Sequence, residues 1–291
     1  MKNLIVCLLM LGLFMPALAQ EPTENPAPQW ATGGNFGLNF TQVSLSNWAA
    51  GGENSLATNT FVNLFANYKK GKGAWDNTLN LAYGLLKQGE TEVRKSDDKI
   101  DFASKYGYSA GKKWYYSGLV SFKSQFTEGF KYPNDSVAIS RFLAPGYILL
   151  SAGMDYKPSD NFSVYLSPLT GKITLVTDDV LSAQGAYGVE PGDKSRSEFG
   201  GYFKMMLKHA LMENIDLATK LDLFSNYMDN PQNVDVNWEV MVVMKVNKYI
   251  SANLSTHLIY DDDIMIKQDD GSAGPRTQFK EVFGVGLTYK F

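Results

Sequence analysis

The chain predicts an all-β protein: a transmembrane, antiparallel, up-and-down β-barrel of about twelve strands. Three observations carry this. Apolar and polar residues alternate with period two along most of the chain. The connections between alternating segments are short and long by turns. The chain ends on an alternating aromatic strand whose last residue is Phe291.

The N-terminus comes first. Met1 to Ala19 has a signal peptide's parts: Lys2, the apolar run Leu4 to Phe14, and small residues at Ala17 and Ala19 before Gln20. The reading divides the chain into a signal peptide at 1–19, a flexible Pro-rich leader at 20–33 and a barrel at 34–291. Cleavage near Ala19–Gln20 removes the sole cysteine, Cys7. That excludes disulfide scaffolds, thiolate metal sites and thiol nucleophiles from the mature chain. Cleavage takes one of 27 basic residues, leaving 26 against 30 acids, a net charge of −4. This argues against a nucleic-acid partner. No mature stretch reaches the ~20 apolar residues of a membrane-spanning helix.

Strands are expected to start near Asn35, Leu56, Trp75, Lys99, Trp114, Tyr147, Phe162, Ser197, Asn214, Val234, Ile250 and Thr277. The clearest is Val234 to Val246. Val234, Val236, Trp238, Val240, Val242, Met244 and Val246 share one face, and Asp235, Asn237, Glu239 and Lys245 take the other. A helix would scatter both sets around its circumference. The segment with the weakest pattern is Phe162 to Val176, which Pro168 and Gly171 interrupt.

Short connections are expected at Lys69–Ala74, Ser109–Lys113, Pro158–Asn161, His209–Glu213 and Asn247–Tyr249. Long ones are expected at Leu45–Ser55, Lys87–Asp98, Thr127–Pro145, Thr177–Arg196, Ser225–Asn233 and Asp261–Arg276. Outer-membrane barrels have short periplasmic turns and longer external loops, whereas a soluble β-sandwich has no reason to alternate so strictly. Phe283, Tyr289 and Phe291 read as the assembly signal of the last strand. The expected location is the bacterial outer membrane. The expected partners are outer-membrane lipid, lipopolysaccharide and the barrel-assembly machinery.

Five segments resemble a known family: Ser44 to Glu53, Tyr132 to Ser136, Ser167 to Lys172, Asn230 to Trp238 and Ile259 to Asp263. Together they are similar to the domain-of-unknown-function family numbered 3078, exported proteins of Bacteroidota-type Gram-negative bacteria. The resemblance implies the compartment and the barrel. It supplies no activity and no functional residues.

If the apolar set faces lipid, the other set lines a lumen: Asp101, Lys105, Lys123, Glu198, Lys204, Lys220, Asp222, Glu239, Lys245, His257 and Lys280. A lysine on the lipid face would cost ~2–4 kcal/mol at the midplane. Inside, charges must be hydrated or paired. Twelve strands fall between filled eight-strand barrels and open sixteen-strand porins, so size leaves both an open and a plugged lumen available. The loop acids Asp261, Asp262, Asp263, Asp269 and Asp270 are weak candidates for a bound divalent cation, and solvated acids are the plainer reading. No other cofactor is expected. Trp48, Phe130, Tyr132 and Phe142 are candidate recognition residues for a lipoprotein or glycan, or they fold over the barrel mouth. No catalytic residue is assigned. Ser255 and His257 share a face, but that pair alone makes no triad. The sequence reading favours a narrow passive channel for small solutes or a lipophilic ligand. A non-conducting docking barrel is the alternative, and an outer-membrane lipid hydrolase is third.

Overall fold

The computed structural model describes residues 29–46, 49–267 and 272–291. The signal segment, most of the leader, Trp48, Asp269 and Asp270 lie outside the described residues.

Period-two alternation resolves into twelve long strands. They are β1 (Trp30–Val43), β2 (Ser55–Lys70), β3 (Gly73–Gln88), β4 (Arg94–Gly111), β5 (Trp114–Ser124) and β6 (Gly146–Ser159). They continue with β7 (Phe162–Leu175), β8 (Ser195–Met212), β9 (Ile215–Asn226), β10 (Val234–Lys245), β11 (Ile250–Tyr260) and β12 (Gln278–Lys290). Each pairs antiparallel with the next, and β12 pairs back onto β1, closing the ring. Closure leaves no free sheet edge. Its last bonds are reciprocal: Gly34 N donates to Phe291 O at 2.9 Å and Phe291 N to Gly34 O at 3.0 Å.

The connections alternate as expected, with tight turns such as 71–72, 112–113 and 160–161 against long segments at 125–145, 176–194 and 261–277. Two boundaries are corrected. β1 begins at Trp30, inside the expected leader, and Trp30 to Gly33 pair with Tyr68 to Phe65. Small residues hid that strand: a Cβ on Gly33 would lie 2.8 Å from Phe65 Cζ, so the missing side chain makes room for the ring. The expected long loop 87–98 shrinks to 89–93, because β4 starts at Arg94. Its first turns carry charges in place of apolar residues, so they gave no hydrophobic signal.

The faces are reversed relative to a water-soluble core. Outward residues are large and apolar, including Phe199, Trp238, Phe283, Val285 and Leu287, all exposed. Aromatic rings gather at the short-turn end: Trp30 lies 5.1 Å from Tyr68 and 5.8 Å from Trp75, and Trp114 lies 4.9 Å from Tyr156. Inward residues are mostly polar, around one buried apolar knot of Leu119, Tyr165, Tyr202 and Phe224.

Candidate functional site

Strand parity places the charges of the middle lumen, and they meet across it. Lys99 on β4 pairs with Glu239 on β10, and Lys220 on β9 pairs with Asp101 on β4. Lys220 also reaches Glu239 at 3.1 Å. Asp222 accepts from Tyr202 Oη at 2.7 Å, Lys204 Nζ at 2.9 Å and Lys123 Nζ at 3.0 Å. Beside this lattice, Lys105 meets Asp155 at 2.6 Å and lies over the Tyr165 ring. Charges in so dry a space persist only when paired and hydrogen-bonded.

These pairs also fix the shape of the barrel. β4 and β10 stand six strands apart around a ring of twelve. Strands spaced ~4.8 Å and tilted ~40° would close into a circle roughly 24 Å across. A lysine, a glutamate and the hydrogen bond between them span only about 14 Å. The Lys99–Glu239 pair therefore requires the β2–β4 wall to be pressed toward the β8–β10 wall. Lys208 on β8, 5.6 Å from the Phe65 ring on β2, makes a second contact across six strands.

The long-loop mouth carries a different cluster. Lys172 on β7 reaches Asp235 at 2.6 Å, Glu198 at 3.3 Å and Asp261 at 3.5 Å. Arg196 reaches Asp263 at 2.5 Å and Glu198 at 3.2 Å. Asp262 accepts from Tyr260 Oη at 2.9 Å and from Asn233 Nδ2. Three of the family-like segments, Ser167 to Lys172, Asn230 to Trp238 and Ile259 to Asp263, thus converge on one spot. Between Glu198, Asn233, Asp235, Asp262 and Asp263 remains a space of about 20 Å³, room for about one water.

Segment 176–194 folds over this mouth. It holds a short helix, α1 (Asp179–Ala183), capped by Asp178, which accepts from Val180 N and Leu181 N. Val176, Leu181 and Val189 bury against Ala144 of segment 125–145. Tyr187 Oη donates to Ile139 O at 2.6 Å, and burial pushes its hydroxyl pKa up to about 12. Arg141 ties Glu128 to Asp178. Gly188 has φ 77°, and a Cβ there would lie 2.6 Å from Arg196 Nη1. The cap therefore rests directly on the Arg196–Asp263 pair.

The expected lumen residues fall as follows. Asp101, Lys105, Lys123, Glu198, Lys204, Lys220, Asp222, Glu239 and Lys280 all face inward and are ion-paired, Lys280 with Asp97 at 2.6 Å. Lys245 lies at the short-turn rim, 2.6 Å from Asp216. His257 Nε2 meets Asn237 Oδ1 at 3.2 Å, not Ser255. Phe130 and Tyr132 pack with ring centres 6.2 Å apart, Arg94 covers Tyr132, and Phe142 is exposed. Phe283, Tyr289 and Phe291 are exposed on the outer face. The carboxylates of Asp261, Asp262 and Asp263 are turned to Lys172, Tyr260 with Asn233, and Arg196. Among the described residues, no three or more acids or histidines are arranged to hold a metal ion.

The expected lumen set omits Lys99, Asp155, Lys172, Arg196 and Asp235, although the alternation puts Asp155 and Asp235 on the polar face of their strands. Parity reaches Lys99, Arg196 and Asp235, each two or four residues from a member of that set. Lys172 lay beyond an interruption that shifts the strand's parity.

Residues 40–130 match a family described as "Protein of unknown function (DUF3078)". The match runs from the end of β1 through β5 into the next connection. It includes the segment Ser44 to Glu53, while the other four family-like segments lie beyond it. No curated protein matches the chain. Among solved structures, the translocator domain of autotransporter NalP from Neisseria meningitidis is 12% identical, with a TM-score of 0.37, covering 92% of this chain and 90% of that one. An outer-membrane channel from Pseudomonas putida F1 is 11% identical, with a TM-score of 0.41, covering 92% and 99%. The channel DcaP of Acinetobacter baumannii is 10% identical, with a TM-score of 0.28, covering 90% and 97%.

Proposed function

We propose that this chain is an outer-membrane β-barrel whose lumen is held shut and whose working surface is its capped outer mouth. The signal-like N-terminus, the apolar outer belt, the aromatic ring at the short-turn end and the terminal Phe291 support the membrane placement. The observation that carries the closed lumen is the pair of contacts from β4, Lys99 to Glu239 and Asp101 to Lys220, which bar the passage at mid-height. A conducting pore needs a continuous hydrated path, and these side chains occupy it together with the apolar knot around Tyr165 and Tyr202. The mouth, by contrast, offers a built polar surface under a folded cap, suited to docking a lipoprotein, glycan or second barrel.

A narrow, gated channel is the second reading. It is favoured by the nature of the bars, which are long flexible side chains held by charge and not a packed domain. One experiment separates the two. The refolded protein is placed in a planar bilayer, alone and as the Lys99→Ala, Lys220→Ala double variant. A docking barrel gives a silent wild type at any voltage, and discrete current steps only in the variant. Discrete steps from the wild type would overturn the shut-lumen reading in favour of the channel.

A further inference from the structure

The outer face is interrupted at Pro168 on β7. Pro168, in mid-β7, brings no N–H to the ladder, and the register jumps on both of its sides. Ala152↔Leu169 is followed by Met154↔Leu166 against β6, and Gly200↔Thr170 by Tyr202↔Ser167 against β8. Ser167 Oγ satisfies the freed backbone, donating toward Ala152 O and Leu169 O at 2.8 and 3.0 Å. Leu169 is thrown outward, and the neighbouring Gly201 lets the Tyr227 ring lie along the wall, since a Cβ there would come 2.7 Å from its hydroxyl. The result is an apolar depression of about 410 Å³ between Leu166, Pro168, Phe203, Leu223 and Val234. Its floor is the wall itself at Ser167, Tyr202 and Phe224. Tyr227 closes one end, its ring 5.9 Å from Phe199 and its hydroxyl beside Gly201.

We propose that this depression binds one acyl chain of an outer-leaflet lipid. The inference rests on the membrane placement proposed above. Gly200 and Gly201 lie near the long-loop end of β8, and Ser225 and Val234 at the long-loop ends of β9 and β10, so the site falls in the outer half of the apolar belt. Its volume lies within the ~300–1,000 Å³ of ordinary ligand pockets. The hydrophobic effect gives no preference here, because surrounding lipid is as apolar as the wall. Preference comes from dispersion: a concave site touches a chain on three sides, where the smooth belt touches it on one. Tyr227 adds a hydroxyl at the headgroup level, the usual place for an interfacial tyrosine. The occupant is thus selected by shape along the chain and by a single polar contact at its head.

The test is photolabelling of the full-length refolded protein in nanodiscs containing a phospholipid with a diazirine on its acyl chain. Adducts are mapped by mass spectrometry. The site predicts labelling of Leu166, Phe203 and Leu223 enriched roughly fivefold over Val285 and Leu287 on β12, a preference of about 1 kcal/mol. Gly201→Phe should abolish the enrichment. If that variant does not fold, Leu223→Trp fills the same space from the neighbouring strand. Even labelling around the belt would overturn the site while leaving the membrane placement standing. No labelling of any outward residue would overturn both.

Discussion

The middle of the lumen and its outer mouth are both built from paired charges, yet they are made differently. In the mid-lumen lattice, four lysines (99, 123, 204 and 220) face three carboxylates (101, 222 and 239). At the mouth, two cations (172 and 196) face four carboxylates (198, 235, 261 and 263). The lattice sits wholly on strands and joins walls that face each other. The mouth is assembled from a bulged strand, two loop segments and a cap. The contrast teaches that alternation alone can place a closing lattice, whereas a surface with its own identity needs departures from alternation.

The largest effect is expected at Asp222. Asp222→Ala leaves Lys123 and Lys204 buried without their carboxylate, and removing one partner of a buried pair costs about 3–5 kcal/mol. Heat-modifiable gel migration should show unfolding at clearly lower temperature or urea. An unchanged midpoint would mean that the lattice is hydrated and dispensable. Lys172→Met at the mouth should cost less, about 1–3 kcal/mol, because Arg196 still faces Glu198 and Asp263. A larger loss than for Asp222→Ala would reverse the ranking of the two regions.

How much of this was legible follows the same divide. Asp101, Lys220, Asp222 and Glu239 were readable because a strand's side chains alternate faces, so an isolated charge among apolar neighbours must point inward. Their partners across the lumen were not readable, since parity says nothing about which strands face each other or that the ring is flattened. Lys172 was hidden by Pro168, because a bulge adds residues to one strand and breaks the period that parity relies on. Arg94 to Asp98 fall in an expected loop because a strand standing above the apolar belt has no hydrophobic face to betray it. The cap was unreadable for another reason: Val176, Leu181 and Val189 bury against Ala144, some forty residues upstream in the case of Val189, with no shared period.

Two smaller changes probe the cap against the barrel. Gly188→Ala places a side chain at positive φ and against Arg196, costing ~1–3 kcal/mol locally. Protease nicking within 176–194 should rise while barrel migration on gels stays unchanged. Tyr187 gives a pH handle. Its folded pKa of about 12 lies above the ~10 of an exposed tyrosine, so its contribution is complete below pH ~10 and is lost as pH rises through about 12. Nicking of the cap should rise over that window in the wild type. Tyr187→Phe, which lacks the donor to Ile139 O and gives up about 1 kcal/mol, should show raised nicking at neutral pH and little further change.

Ion pairs draw opposite walls of the barrel together. The most direct test is a pulsed electron-resonance distance between spin labels at Ile100 on β4 and Trp238 on β10. Cys7 is the sole cysteine of the chain, so its replacement by serine leaves no competing thiol. The account predicts a distance roughly 10 Å shorter than a circular twelve-strand barrel would give, lengthening by several ångströms when Lys99→Ala is added. A distance at the circular value, unmoved by that substitution, would contradict it.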